Sequence, residues 1–152
     1  MPDPVFIQAD KAIATAIAAN YAGGFSGLDL SAAGSVIRGI IPEPPILPFA
    51  SLFLIDVIEQ QGPTMGRYQG SMTFEIYAFC AGDSITERTD KAGQLAADII
   101  KAITIDRSLG LGGAVDDCLC SFRAIEGDKI GIPHSGCAFV QCVVTFQSEY
   151  GV

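Results

Sequence analysis

Helix-period and strand-period stretches, in the order helix, strand pair, helix, strand pair, predict a single domain of the α+β class. Three observations carry this expectation. "SMTFEIYAFC" (Ser71–Cys80) alternates, with Met72, Phe74, Ile76 and Ala78 on one side and Thr73, Glu75 and Tyr77 on the other. Between Ile85 and Ile103 the residues Ala92, Leu95, Ala96, Ile99, Ala102 and Ile103 fall on one helical stripe. A length of 152 residues suits one domain with one sizeable core.

The elements follow in chain order. Asp3-Pro4 is a helix start, a capping carboxylate followed by proline at the first helical position, and Phe6, Ala9, Ile13, Ala16 and Ile17 recur behind it at helical spacing. Gly23-Gly24 ends that helix. The Gly- and Pro-rich stretch 23–50, with "IIPEPPILPFA" at its end, is too dense in proline for an interior strand or helix. It holds either a short element around Ser31–Ile41 or an arm that orders against a partner. "SLFLIDVIEQ" (Ser51–Gln60) has strand composition, with Phe53, Ile55 and Val57 on one face and Leu52, Leu54 and Ile58 on the other, so both sides are expected to be covered. With Ser71–Cys80 it forms a long hairpin across a Gly-rich loop. Glu87, Asp90, Lys91, Asp98 and Lys101 occupy the polar side of the second helix. "LGLGGAVDD" is a turn, and "CLCSFRAI" (Cys118–Ile125) and "CAFVQCVVTFQSEY" (Cys137–Tyr150) are two more strands around a charged loop at Glu126–Lys129.

Charge narrows the function classes. A net charge of −8 with only nine Lys and Arg excludes nucleic-acid binding as the main task, because such binding needs clustered cations. An acidic surface still suits a protein that sits beside DNA without adhering to it. The N-terminal stretch lacks a cationic segment before its apolar residues, and the longest uncharged runs, Ala12–Leu28 and Pro133–Ser148, are diluted by small and polar residues. Neither a signal peptide nor a membrane span is expected. Five cysteines, an odd number, point to free thiols in a reducing cytosol.

Three stretches invite a chemical reading. "GDS" at Gly82–Ser84 resembles the nucleophile block of GDSL-type esterases, but the only histidine, His134, has Gly131 three residues before it instead of aspartate, and Asn20 is the sole asparagine. A nucleophilic serine needs a base, an orienting acid and oxyanion donors. Ser84 followed by Glu87 is instead a capping box at the start of the second helix. Cys118, Cys120, Cys137, Cys142 and His134 supply zinc-ligand atoms, yet Cys137 and Cys142 are five apart and point to opposite sides of one strand. Cys142 joins Ala138, Val140, Val144 and Phe146 on an apolar face and is expected to pack as a small hydrophobe. "GLGG" (Gly110–Gly113) lacks a preceding strand and a following Lys-Ser or Lys-Thr, so it marks a helix stop. No catalytic set, cofactor site or metal site emerges.

The segments "GRYQGSMTFEIYAF" before a loop and long amphipathic helix, "TIDRSLGLGGAVDDC" after it, and the closing "GCAFVQCVVTFQSEY" resemble the tail terminator (tail-completion or neck) proteins of tailed bacteriophages over about Ser51–Tyr150. The resemblance implies a mixed or mainly antiparallel sheet of about four strands flanked by helices. It implies a virion protein, assembled in the host cytoplasm into a ring, usually of six copies. Such a ring caps the tail tube, ends its polymerisation and docks the head-side connector, with DNA only as passing cargo. Candidate partner contacts are Pro44, Pro45 and Phe49 in the arm, Gln61, Arg67 and Tyr68 at the hairpin loop, and Asp116 and Asp117 in the turn. A connector subunit of similar fold is the nearest rival, and an esterase using Ser84 the remote one.

Overall fold

The alternating segments form a five-stranded mixed sheet in the computed structural model, which describes residues 3–19, 24–32, 35–40, 47–61 and 68–148. In chain order the elements are α1 (Val5–Ala19), β1 (Val36–Arg38), β2 (Phe49–Gln61), β3 (Tyr68–Ala81), α2 (Ile85–Thr104), β4 (Val115–Glu126) and β5 (Ser135–Ser148). Spatial order is β1-β2-β3-β5-β4, antiparallel throughout except for the β1–β2 pair. β5 lies between β3 and β4, so β4 and the short β1 form the two edges.

Both helices pack on one face of this sheet. Val5, Ala9, Ile13 and Ile17 of α1 and Ala92, Leu95, Ala96, Ile99 and Ile103 of α2 share a core with Leu52, Met72, Phe74, Ile76, Ala138, Val140, Cys142, Val144 and Phe146. Burying each of the larger side chains contributes about 1.5–3 kcal/mol. A smaller cluster, Phe49, Phe79, Ile132 and Cys137, lies on the opposite face at one end of the sheet.

Some expectations are met and others corrected. Of the two open readings of the stretch 23–50, the short element within Ser31–Ile41 is the one found: β1 pairs in parallel with β2 from Val36↔Ala50 to Arg38↔Leu52, and Leu30 is fully buried in the main core. The sheet therefore has five strands instead of four. β2 starts at Phe49, directly after Pro48, where a proline costs no ladder bond inside the strand. The Asp3 carboxylate, expected to cap α1, reaches Lys11 instead, while the Pro4 carbonyl accepts from Ile7 N–H at 3.0 Å.

Asp98, expected on the polar side of α2, is 4% exposed. Its carboxylate accepts from Phe25 N–H at 2.7 Å, Ser26 N–H at 2.9 Å and the Ser26 hydroxyl at 2.7 Å, and so ties the segment after α1 to α2. A Cβ at Gly24 would lie 2.3 Å from that carboxylate, which is why the approach needs glycine.

β2 is not covered on both sides. Its register shifts between Leu54 and Asp56, so Ile55 is an extra, bulged residue. Parity inverts there: Leu54 lies opposite Phe74 and Val57 opposite Met72, both on the helix-covered face. Ile55 and Ile58 are left 50% and 55% exposed.

Candidate functional site

Beyond the smaller cluster at one end, which Ile130 of the short 3-10 turn Gly127–Ile130 and Ile132 just after it close, the face of the sheet away from α1 and α2 is covered by no α-helix among the described residues. Cross-strand pairing fixes what it carries: Phe53↔Glu75, Tyr77↔Phe139, Glu75↔Gln141 and Thr73↔Val143, continued into β4 by Arg123↔Phe139 and Leu119↔Val143. An aromatic row crosses it. Phe53 meets Tyr77 edge-on with ring centres 5.8 Å apart, Tyr77 meets Phe139 at 5.1 Å, and the Arg123 guanidinium sits 4.9 Å over the Phe139 ring. Each such aromatic contact contributes about 0.5–1.5 kcal/mol beyond area burial, and the Arg123 contact about as much again at an exposed site.

Glu75 occupies the centre of the row and accepts from the Tyr77 hydroxyl at 2.9 Å. Burial pushes the Tyr77 phenol up to about 12, reinforced by this hydrogen bond and by the Glu75 charge. Around the row lie Ile55, Ile58, Leu119, at 59% exposure, and Val143, at 36%. Apolar side chains spread over three strands of one open face are the composition of a contact surface. A shallow depression of about 400 Å³ beside the row is lined by Glu75, Ser121, Phe122, Arg123, Phe139 and Gln141.

Of the candidate contact residues, Pro44, Pro45 and Arg67 lie outside the described residues. Gln61 and Tyr68 form the last backbone pair of the β2–β3 hairpin, at the end where the chain passes from one strand to the other. Phe49 is corrected: it is 1% exposed and stacks on Phe79 at 4.9 Å, so it is a core residue. As the first residue of β2 it points into the smaller cluster, which the Pro-rich composition around it concealed. Asp116 is exposed and accepts from Gln147 Nε2 at 3.3 Å. The Asp117 carboxylate is taken by Arg107, whose Nε and Nη2 donate at 2.6 and 2.7 Å, and this fork ties the turn after α2 to the start of β4.

Ser84 is a cap. Its Oγ accepts from Glu87 N–H at 3.1 Å while the Glu87 carboxylate accepts from Asp83 N–H at 3.1 Å, a reciprocal arrangement shifted one residue outward from the usual box. His134 sits exposed in the turn before β5, with its backbone N–H on Asp128 at 3.2 Å. Four residues after the cap, Arg88 is buried, donating to the Gly82 carbonyl at 3.3 Å and standing 3.7 Å from the Glu126 carboxylate. Its own carbonyl presses on β5: a Cβ at Gly136 would lie 2.3 Å from it. The start of α2 is therefore seated on β5 and tied to the end of β4.

All five cysteines are free thiols, and the strand-parity argument holds for four of them. Cys142 is fully buried beside Val140 and Val144, and Cys137 lies on the other face, where burial pushes its thiol up to about 12. One grouping escaped the sequence: Cys118, Cys120 and Cys142 converge, with their sulfurs within 4.8 Å of one another. Cys120 lies directly opposite Cys142, and their sulfurs are 3.0 Å apart. Hydrogen bonds from Cys118 and Cys142 hold the Cys120 thiol down at about 4, and the same bonds raise both neighbours. Only the register of β4 against β5 reveals this group, and the sequence does not state that register.

No protein-family model and no curated protein sequence matches the chain. No helix among the described residues is long and apolar enough to cross a membrane.

Proposed function

We propose that this chain is a structural subunit of a bacteriophage tail, a terminator that assembles into a ring, caps the tail tube, ends its growth and presents a docking face to the head-side connector. The observation that carries the reading is the part of the sheet face left open beyond the smaller cluster, bordered by the twelve-residue edge strand β4, whose outer side pairs with no strand among the described residues. A long unprotected edge beside exposed apolar side chains is a liability in a lone subunit and a resource in an assembly. In a closed ring each copy contributes two different patches, so this face and edge would meet a different surface of the next copy. The resemblance of Ser51–Tyr150 to tail terminators supplies the identity of the assembly, and the order of strand pair, capped helix and strand pair is compatible with it. Ser84, engaged as a cap, is not assigned a nucleophilic role, and the protein acts by shape and contact.

Native mass measurement tests the reading. The purified chain mixed with tail tube protein is expected to give a ring, whether or not the chain alone does. A strict monomer in both samples would overturn it. Tails assembled without this chain are expected to overrun their normal length in electron micrographs. Co-sedimentation with tail-less heads in preference to tail tubes would move the assignment to the connector.

A further inference from the structure

Cys118, Cys120 and Cys142 form a convergent donor set that packing alone does not require. Cys118 and Cys120 are two apart on β4 and so share a face, and β5 brings Cys142 directly across from Cys120. Cys118 and Cys142 are fully buried, whereas Cys120 is half-buried on the edge strand and connects the group to solvent. Apolar residues at these positions would fill the same space with no sulfur pair at 3.0 Å. Three sulfurs each about 2.3 Å from a common ion stand roughly 4 Å apart, a separation inside the 4.8 Å span of this group. The closest pair has to open by only about 1 Å to reach that geometry.

The donor set also selects the ion. Thiolates suit soft cations, and a structural zinc site closes with four protein ligands. Among the described residues no fourth donor belongs to this group. His134 precedes Cys142 by eight residues of extended chain, roughly 27 Å at the strand rise. Both Asp117 oxygens are held by Arg107, and that residue faces the other side of the sheet. We propose that Cys118, Cys120 and Cys142 form a three-sulfur site for a soft d10 cation, copper(I), that staples the edge strand β4 to β5. Binding displaces the thiol protons and adds a crosslink between two strands already in register.

The full chain, kept reduced and oxygen-free, is titrated with copper(I) against a competing chelator, with X-ray absorption to count sulfur neighbours and a thermal melt to read the staple. The expected result is one copper per chain, three sulfur neighbours and an upward shift of the melting midpoint with metal concentration. Cys120→Ala, at the half-buried position, is expected to melt as a folded protein without metal and to lose more than the roughly 100-fold in affinity that changes in a metal's outer shell cost. Cys118→Val is a second disruption should the first perturb the edge strand. The double variant Cys80→Ala/Cys137→Ala is expected to keep one copper per chain. Copper retained in both site variants, binding lost with Cys80 and Cys137, or no uptake against the chelator would each overturn the proposal. One zinc(II) held in preference to copper(I) would overturn the three-coordinate assignment.

Discussion

The two faces of the sheet are built from the same strands and have opposite chemistry. On the helix-covered face, β3 and β5 present Met72, Phe74, Ile76, Val140, Cys142 and Val144, all with no exposure. One residue along each strand, the open face presents Thr73, Glu75, Tyr77, Gln141 and Val143, a mixture of polar, aromatic and aliphatic groups that keeps some contact with water. The first face holds the fold together, and the second is free to vary in what it touches. Substitutions should therefore divide into those that unfold the chain and those that change only its company.

Phe74→Ala is the largest expected effect, a loss of about 3–5 kcal/mol in chemical denaturation, because the ring is fully buried in the core that the helices and the sheet share. Phe53→Ala, from the half-buried end of the aromatic row, should cost well under half as much; equal losses would mean that the open face is structural after all. Next comes Asp98→Ala, which strips three donors of their acceptor and should cost about 2 kcal/mol, with faster proteolysis around Phe25 as the local readout. Ser84→Ala should cost about 1 kcal/mol through the lost cap, and no hydrolytic activity should disappear with it.

Leu119→Asp sharpens the contrast most. Monomer stability should move by no more than about 0.5 kcal/mol, yet ring formation with tube protein should fail in native mass measurement. The smallest effect is spectroscopic. Tyrosinate absorbance should include one group that ionises near pH 12 instead of the ordinary 10.0, absent in Tyr77→Phe. Because folding raises this pKa, the stability associated with protonated Tyr77 is fully present below pH 10 and declines as pH rises through about 12.

Much of this architecture was legible in the sequence because period and composition agreed. The stripe of α2, the alternation of β3 and β5 and the Ser84–Glu87 cap all follow from local spacing, and all are found as predicted. What escaped was set by distant partners. Phe49 and Asp98 were misplaced because their surroundings come from β3 and from the segment after α1. β1 was one of two open readings, since three residues carry too short a period to decide. The three-thiol group depends on how β4 and β5 align, and β2 defeated a strict period of two at one residue. The open face was invisible for a related reason: alternation says that a strand has two sides, not that a helix lies over only one of them.

That single extra residue in β2 bears on how the chain can change in length. Pairing runs Leu54↔Phe74 and Asp56↔Thr73 with Ile55 looped between, so removing position 55 would leave every remaining partner where it stands. The hairpin beyond it could lose a residue without exchanging its wet and dry surfaces, at the cost of the added coiling that a bulge gives the ribbon. In the ring proposed above, this is a place where shortening could re-aim the outer ends of β2 and β3 while the core stays untouched.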